Sequence, residues 1–281
     1  MRSADVTLGS KTAYSVPIQI MGSTTLPASA NQCQPNGSVM STVSALGAKG
    51  ILGLSLLQQD CGTGCVSNAG NGYYYTCKDA SCAASVGATA PLASQLTNPV
   101  VRFTTDNNGF VITLPAVSAS GAATVDGSLV FGVGTQSNNR YTGNSVLTTN
   151  SVGDISTRVG SQTFRNSFVD SGSNGLFFDS STLATCPANG GVSGFYCPAT
   201  SQSYTSVTLT GSNAVSASVP FVVDNAQTIV NTGFLALPTL AGPVGDSRIF
   251  DWGLPFFYGR SVFYGIEQMS SNLGVGPLMA F

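Results

Sequence analysis

The sequence predicts an all-β protein, and three observations carry that expectation. Short runs rich in β-branched and aromatic residues recur at Phe110 to Leu114, Ser128 to Val133, Ser206 to Thr210, Val219 to Val223 and Ser261 to Ile266. Turn dipeptides punctuate the chain: Asn36-Gly37, Asn71-Gly72, Asn108-Gly109, Asp126-Gly127 and Asn174-Gly175. Helical periodicity is weak. Leu92 and Leu96 would share one face of a short helix, and only two or three short helices are expected in all.

Along the chain, Gly9-Ser10-Lys11-Thr12 imitates the end of a phosphate-binding loop. It lacks both the glycine before the lysine and the glycine five residues earlier, so it reads as a polar hairpin. The stretch from Cys61 to Cys82 is loop-like. Its Tyr73-Tyr74-Tyr75 is either a binding surface or a strand packed under a disulfide loop. Gly132-Val133-Gly134 lacks the third glycine of a dinucleotide fingerprint, and no helix follows it. Leu183 to Tyr204 forms a second loop-like insertion, holding Cys186 and Cys197.

Composition narrows the chemistry. Charged residues are 8 % of the 281, against roughly 25 % in an average soluble domain, so the surface must be polar but mostly uncharged. A net charge of −2 offers no electrostatic footprint for nucleic acid. Histidine is absent, which removes Ser-His-Asp and Cys-His catalysis and every imidazole zinc site. Lysine is confined to Lys11, Lys49 and Lys78, and the single glutamate is Glu267. Aspartate is therefore the natural carrier of any acid–base chemistry, with Cys, Tyr, Ser and Lys as weaker candidates.

Seven cysteines separated by Gly/Ser/Asn-rich sequence read as a disulfide framework from an oxidising compartment. Cys186 and Cys197 stand apart from the others and are expected to pair. Cys61, Cys65, Cys77 and Cys82 are expected to form two bridges, crossed as Cys61–Cys77 and Cys65–Cys82, one of three possible connectivities. Cys33 is the odd one. Free thiols, or a metal held by Cys61-x3-Cys65 and Cys77-x4-Cys82, are the competing readings; neither a metal nor a cofactor is expected. No run of 18 apolar residues exists, so no membrane span is expected. Met1 to Asp5 is not followed by the apolar core of a signal peptide, so a disulfide-rich chain is expected in mature, fragment or expressed form, with a secreted, periplasmic or cell-surface location.

The segment from Phe168 to Phe178 is the informative one: apolar residues flank Asp170-Ser171-Gly172-Ser173 on both sides. A buried strand delivers one aspartate and then turns sharply. An unpaired carboxylate there would be costly. Either hydroxyls and backbone N–H groups satisfy it, or it shares a proton with a second carboxylate.

At these residues the chain resembles the pepsin-like aspartic peptidases, whose lobes each carry an apolar-Asp-Thr/Ser-Gly-Thr/Ser motif and a later apolar-apolar-Gly segment that threads past it. Val169 to Ser173 matches the first element and Asp251-Trp252-Gly253-Leu254-Pro255-Phe256-Phe257 the second, with Asp251 in place of the usual apolar residue. Gly127 to Gly132 and Tyr141-Thr142-Gly143 resemble the family's central strand and its continuation, and Val262 to Phe281 its last strands. Lys49 to Leu54 resembles the glycine segment of an N-terminal lobe, and Ala4 to Gly9 the strand after the flap. No second D-[ST]-G exists in the chain, and Asp126-Gly127 lacks the intervening residue. The whole chain is more closely similar to a bacterial secreted family of unknown function within that superfamily.

The resemblance implies a bilobal double-ψ β-barrel architecture with an incomplete N-terminal lobe, residues 1–134, and a C-terminal lobe, residues 135–281. It implies Asp170 as one catalytic carboxylate, supported by Ser171, Gly172, Ser173 and Gly253, and a peptide or protein as substrate. The other aspartate motif and the flap are expected upstream of Met1, so the chain as it stands is expected to be inactive. A non-catalytic binding or structural module, and a Gly/Ser/Asn-rich surface β protein, remain the other readings.

Overall fold

The polar hairpin forms as its turn residues dictate: Arg2–Leu8 pairs antiparallel with Lys11–Ile18, with Leu8 opposite Lys11 across Gly9-Ser10. Lys11 reaches past the turn to Asp106, with Nζ to Oδ2 at 2.6 Å. The computed structural model describes residues 1–21, 42–77 and 85–281. Cys33, Cys82 and the Asn36-Gly37 turn signal lie outside the described residues.

Two units divide the chain, Met1–Asn107 and Asn108–Phe281. In the first, Ala13, Val16, Val100 and Phe103 are buried. The Leu92/Leu96 helix shrinks to one 3-10 turn, Leu92–Ser94, with Leu96 beyond its end. Of the three tyrosines, Tyr75 opens the strand Tyr75–Cys77, which pairs with Ser85–Gly87; the Tyr74 hydroxyl donates to Asp60 at 2.7 Å and accepts from Leu96 N–H at 2.8 Å, and Tyr73 is exposed.

The crossed cysteine pairing does not occur. Cys61 bonds Cys65, so neither reaches Cys77 or Cys82. The physical reason is local: Thr63–Ser67 is a short helix, and it brings Cys65 round to within 5.7 Å of Cys61, Cα to Cα. Cys186 bonds Cys197 as expected. That bridge belongs to a small core with Val192, Ala226, Ile229, Leu237 and Leu240. Replacing both cysteines by alanine is expected to lower stability by about 3 kcal/mol, read from the urea midpoint, because the bridge closes a short loop of the unfolded chain.

The second unit holds a five-stranded and a seven-stranded sheet, besides two small two-stranded ones, Gln202–Tyr204 with Phe221–Val223 and Ser270–Ser271 with Gly274–Val275. An antiparallel five-stranded sheet runs Ser128–Phe131, Gly109–Leu114, Arg260–Gly265, Leu278–Ala280, Val146–Thr148. Residues 128–131 pair with 109–114, which places that strand in the second unit rather than the first, and the division falls at 107/108 instead of 134/135. The seven-stranded sheet runs Ser216–Ser218, Val207–Thr210, Ile155–Val159, Gln162–Val169, Ile249–Trp252, Leu176–Phe178, Ala241–Gly242. Its buried face is aromatic. Phe250 stacks on Phe178 at 4.7 Å and on Trp252 at 4.2 Å, Phe164 packs edge-on at 5.4 Å from Phe250, and Trp252 Nε1 donates to Thr157 Oγ1 at 2.9 Å. Each such buried ring is worth roughly 1.5–3 kcal/mol relative to exposure.

Candidate functional site

Gln162–Val169 and Leu176–Phe178 are joined by the Asp170-Ser171-Gly172-Ser173 turn, yet they do not pair with each other. Ile249–Trp252 lies between them, parallel to the first and antiparallel to the second. The crossing is possible because position 253 has no side chain. A Cβ on Gly253 would sit 2.0 Å from the Gly175 carbonyl oxygen and 2.6 Å from that of Ser173. Two backbone bonds lock the crossing: Asp170 N–H to the Trp252 carbonyl at 3.1 Å and Leu254 N–H to the Ser173 carbonyl at 2.7 Å.

This insertion brings a second carboxylate to the motif. Along Phe250-Asp251-Trp252 the side chains alternate. Phe250 and Trp252 enter the aromatic face, so Asp251 points to the opposite one, in register with Phe168 and Phe177. Asp170 is two residues beyond Phe168 and shares that face. Ser173 joins the two: its Oγ is 3.0 Å from Asp170 Oδ2 and 2.5 Å from Asp251 Oδ2. Gly172 N–H donates to Asp170 Oδ1 at 2.8 Å. Ser171 is exposed at the tip of the turn, and its hydroxyl bonds neither carboxylate.

A serine hydroxyl has one hydrogen, so it cannot donate to both carboxylates at once. One of the two contacts must be donated by a protonated carboxyl. Asp251 is the group that holds the proton: it is only 6 % exposed, and its Oδ1 is buried without a hydrogen-bond partner. Burial, reinforced by the charge of Asp170 and opposed by the Ser173 hydrogen bond, pushes its carboxyl up to about 6. While Asp251 is protonated, the chain of donors runs from Asp251 Oδ2–H to Ser173 Oγ, and from Ser173 Oγ–H to Asp170 Oδ2; once Asp251 ionises, Ser173 can donate to only one of the two carboxylates at a time. Asp170 is the half-buried end that reaches the surface beside exposed Ser171 and Gly172.

Tyr264 completes the surroundings. Its ring stacks on Phe110 at 4.7 Å, and its hydroxyl donates to the Val169 carbonyl at 3.2 Å. Burial and the nearby Asp170 charge hold it well above the usual phenol range, so it stays a neutral donor. Among the described residues no group of His, Cys, Asp and Glu is arranged to hold a metal.

Of the residues expected from sequence, Asp170, Gly172, Ser173 and Gly253 come together. Asp251 was visible only as a departure from an apolar position, and Tyr264 carried no signal.

A mixed, strand-inserted β-sheet with an Asp–Ser–Asp chain at its crossing therefore defines the class of site. Residues 1–281 match the model of a family described as a protein of unknown function, DUF3443, and the chain belongs to that family. No curated protein matches it. Among the described residues no helix is long and apolar enough to cross a membrane.

Proposed function

We propose that this chain is an aspartic-peptidase-like protein of pepsin-like architecture, bacterial and secreted, with Asp170 the carboxylate that meets a peptide. The observation that carries this reading is the glycine-threaded Asp-Ser-Gly-Ser turn with two carboxylates joined through Ser173. The disulfides Cys61–Cys65 and Cys186–Cys197 fit an oxidising compartment.

Peptide hydrolysis by carboxylates needs two of them in opposite protonation states, one taking a proton from water and one giving a proton to the carbonyl oxygen. Asp170 and Asp251 are such a pair in protonation but not in position. Asp251 is buried behind Ser173, so it feeds protons to Asp170 and does not grip the same water. Hydrolysis needs a further carboxylate facing Asp170. Residues 1–281 by themselves are a peptide-binding half-site, which is also what favours the non-catalytic binding reading.

A statine-containing peptide such as pepstatin tests the proposal, since its hydroxyl imitates the water held by a catalytic aspartate. Binding at about pH 4, weakened about tenfold or more by Asp170→Ala, is expected; no binding by the unsubstituted chain would overturn the reading. Between about pH 3 and 7, denatured protein should be cleaved no faster by the chain than by Asp170→Ala. Asp170-dependent cleavage would overturn the half-site reading and show that a second carboxylate does face Asp170.

A further inference from the structure

A polar pocket of about 640 Å³ lies within residues 108–281, between the start of Arg260–Gly265, the segment 140–145 and the edge strand Ser216–Ser218. Two guanidinium groups line it, Arg140 and Arg260, and no acidic side chain does. The ion pairs among the described residues are Lys11–Asp106 and Arg248–Asp246, so neither arginine has a carboxylate side chain as partner. Arg260 is half-buried and held in place. Its Nη1 donates to the Phe256 carbonyl at 2.6 Å, and its guanidinium lies 5.0 Å over the Phe256 ring.

That anchoring uses one of five N–H donors and leaves the rest of a planar fork unused. Burial disfavours its charge, but a guanidinium does not lose its proton in a protein, so the desolvated cation persists. The hydroxyls of Thr142, Ser145 and Ser218 border the pocket, and none of them makes a side-chain hydrogen bond among the described residues. Arg140 is exposed and makes no ion pair among the described residues.

We propose that this pocket is a binding site for a small oxyanion, a carboxylate or phosphate group borne on a hydroxylated ligand. Arg260 supplies a fixed fork, Arg140 an exposed second charge, and the hydroxyls orient the remaining oxygens. The site is separate from the Asp170 turn and does not depend on the peptidase-like reading.

Thermal unfolding and calorimetry of the intact chain, with inorganic phosphate or citrate against potassium chloride at matched ionic strength, test it. Phosphate or citrate at millimolar concentration is expected to raise Tm by about 3 °C over the chloride control. A larger response to phosphate assigns the phosphate source, and a larger response to citrate the carboxylate source. Arg260→Met should abolish the response. Because that change also removes the Phe256 contact, Arg140→Ala is the second variant. The Arg140 side chain is exposed and makes no hydrogen bond or ion pair among the described residues, so the variant's own Tm should stay within about 1 °C while its affinity falls about fivefold or more. No anion response beyond chloride, or the same response from both variants as from the unsubstituted chain, would overturn the proposal.

Discussion

Asp251→Asn is expected to make the protein more stable at pH 7 and leave it unchanged at pH 4. The folded carboxyl sits at about 6, against roughly 4 in an unfolded chain. Between those values the folded state binds more protons than the unfolded one, so stability falls as pH rises through the window and stays low above it. A shift of that size corresponds to about 3 kcal/mol. Asparagine imitates the neutral carboxyl. Its amide can donate to Ser173 Oγ, which keeps its own hydrogen for Asp170, and nothing is left to ionise. Urea unfolding at pH 4, 5, 6 and 7 should show the unsubstituted chain losing about 3 kcal/mol across the series relative to the variant. Taking the difference between the two curves cancels the titration of Asp154 and of the exposed Asp246–Arg248 pair. Parallel curves would mean that Asp251 is not the proton holder.

Gly253→Ala is expected to be among the most damaging single substitutions in the chain. The backbone at Gly253, φ −72° and ψ −161°, is open to any residue, so the whole cost is steric. The new Cβ meets the carbonyl oxygens of Gly175 and Ser173 at 2.0 and 2.6 Å, and neither can swing aside like a side chain. The threaded strand must move out from between its neighbours, which breaks both backbone bonds at the crossing and tilts the Asp–Ser–Asp chain. A loss of more than about 4 kcal/mol, or failure to fold, is expected. Gly53 provides the control. It sits in the other glycine segment of similar sequence, yet a Cβ there meets nothing within 4 Å. Gly53→Ala should change stability by less than about 1 kcal/mol in the same urea series. Equal costs at the two positions would show that the crossing is not what Gly253 secures.

Sequence reasoning worked where the signal was local. The strands at Gly109–Leu114, Val207–Thr210 and Arg260–Gly265 follow from runs of β-branched and aromatic residues. The same local logic misled at Asn108-Gly109, which reads as a turn. There Asn108 is buried, exchanging hydrogen bonds with the backbone of Val133, and Gly109 opens a strand where a Cβ would lie 2.1 Å from the Tyr264 carbonyl oxygen. The Cys186–Cys197 bridge formed as expected, but the crossed pairing of Cys61 and Cys65 failed because one helical turn, too short to register as periodicity, decided it.

In the site, Asp170 and Ser173 were legible from their spacing and apolar flanks. Asp251 was not, because its role depends on a parallel pairing between residues 249–252 and 166–169. Alternation within Phe250-Asp251-Trp252 sends Asp251 away from the aromatic face, and that much is in the sequence. Which carboxylate it meets there is fixed only by the strand insertion.

The coupling of Asp251 to Asp170 through Ser173 is tested most directly by a carbon-13 NMR titration of the aspartate carboxyls. Asp251 should titrate at about 6, and Asp170→Asn, which removes the neighbouring charge, should move that titration lower. An Asp251 carboxyl titrating near 4, as ordinary aspartates do, and indifferent to Asp170→Asn would contradict the account.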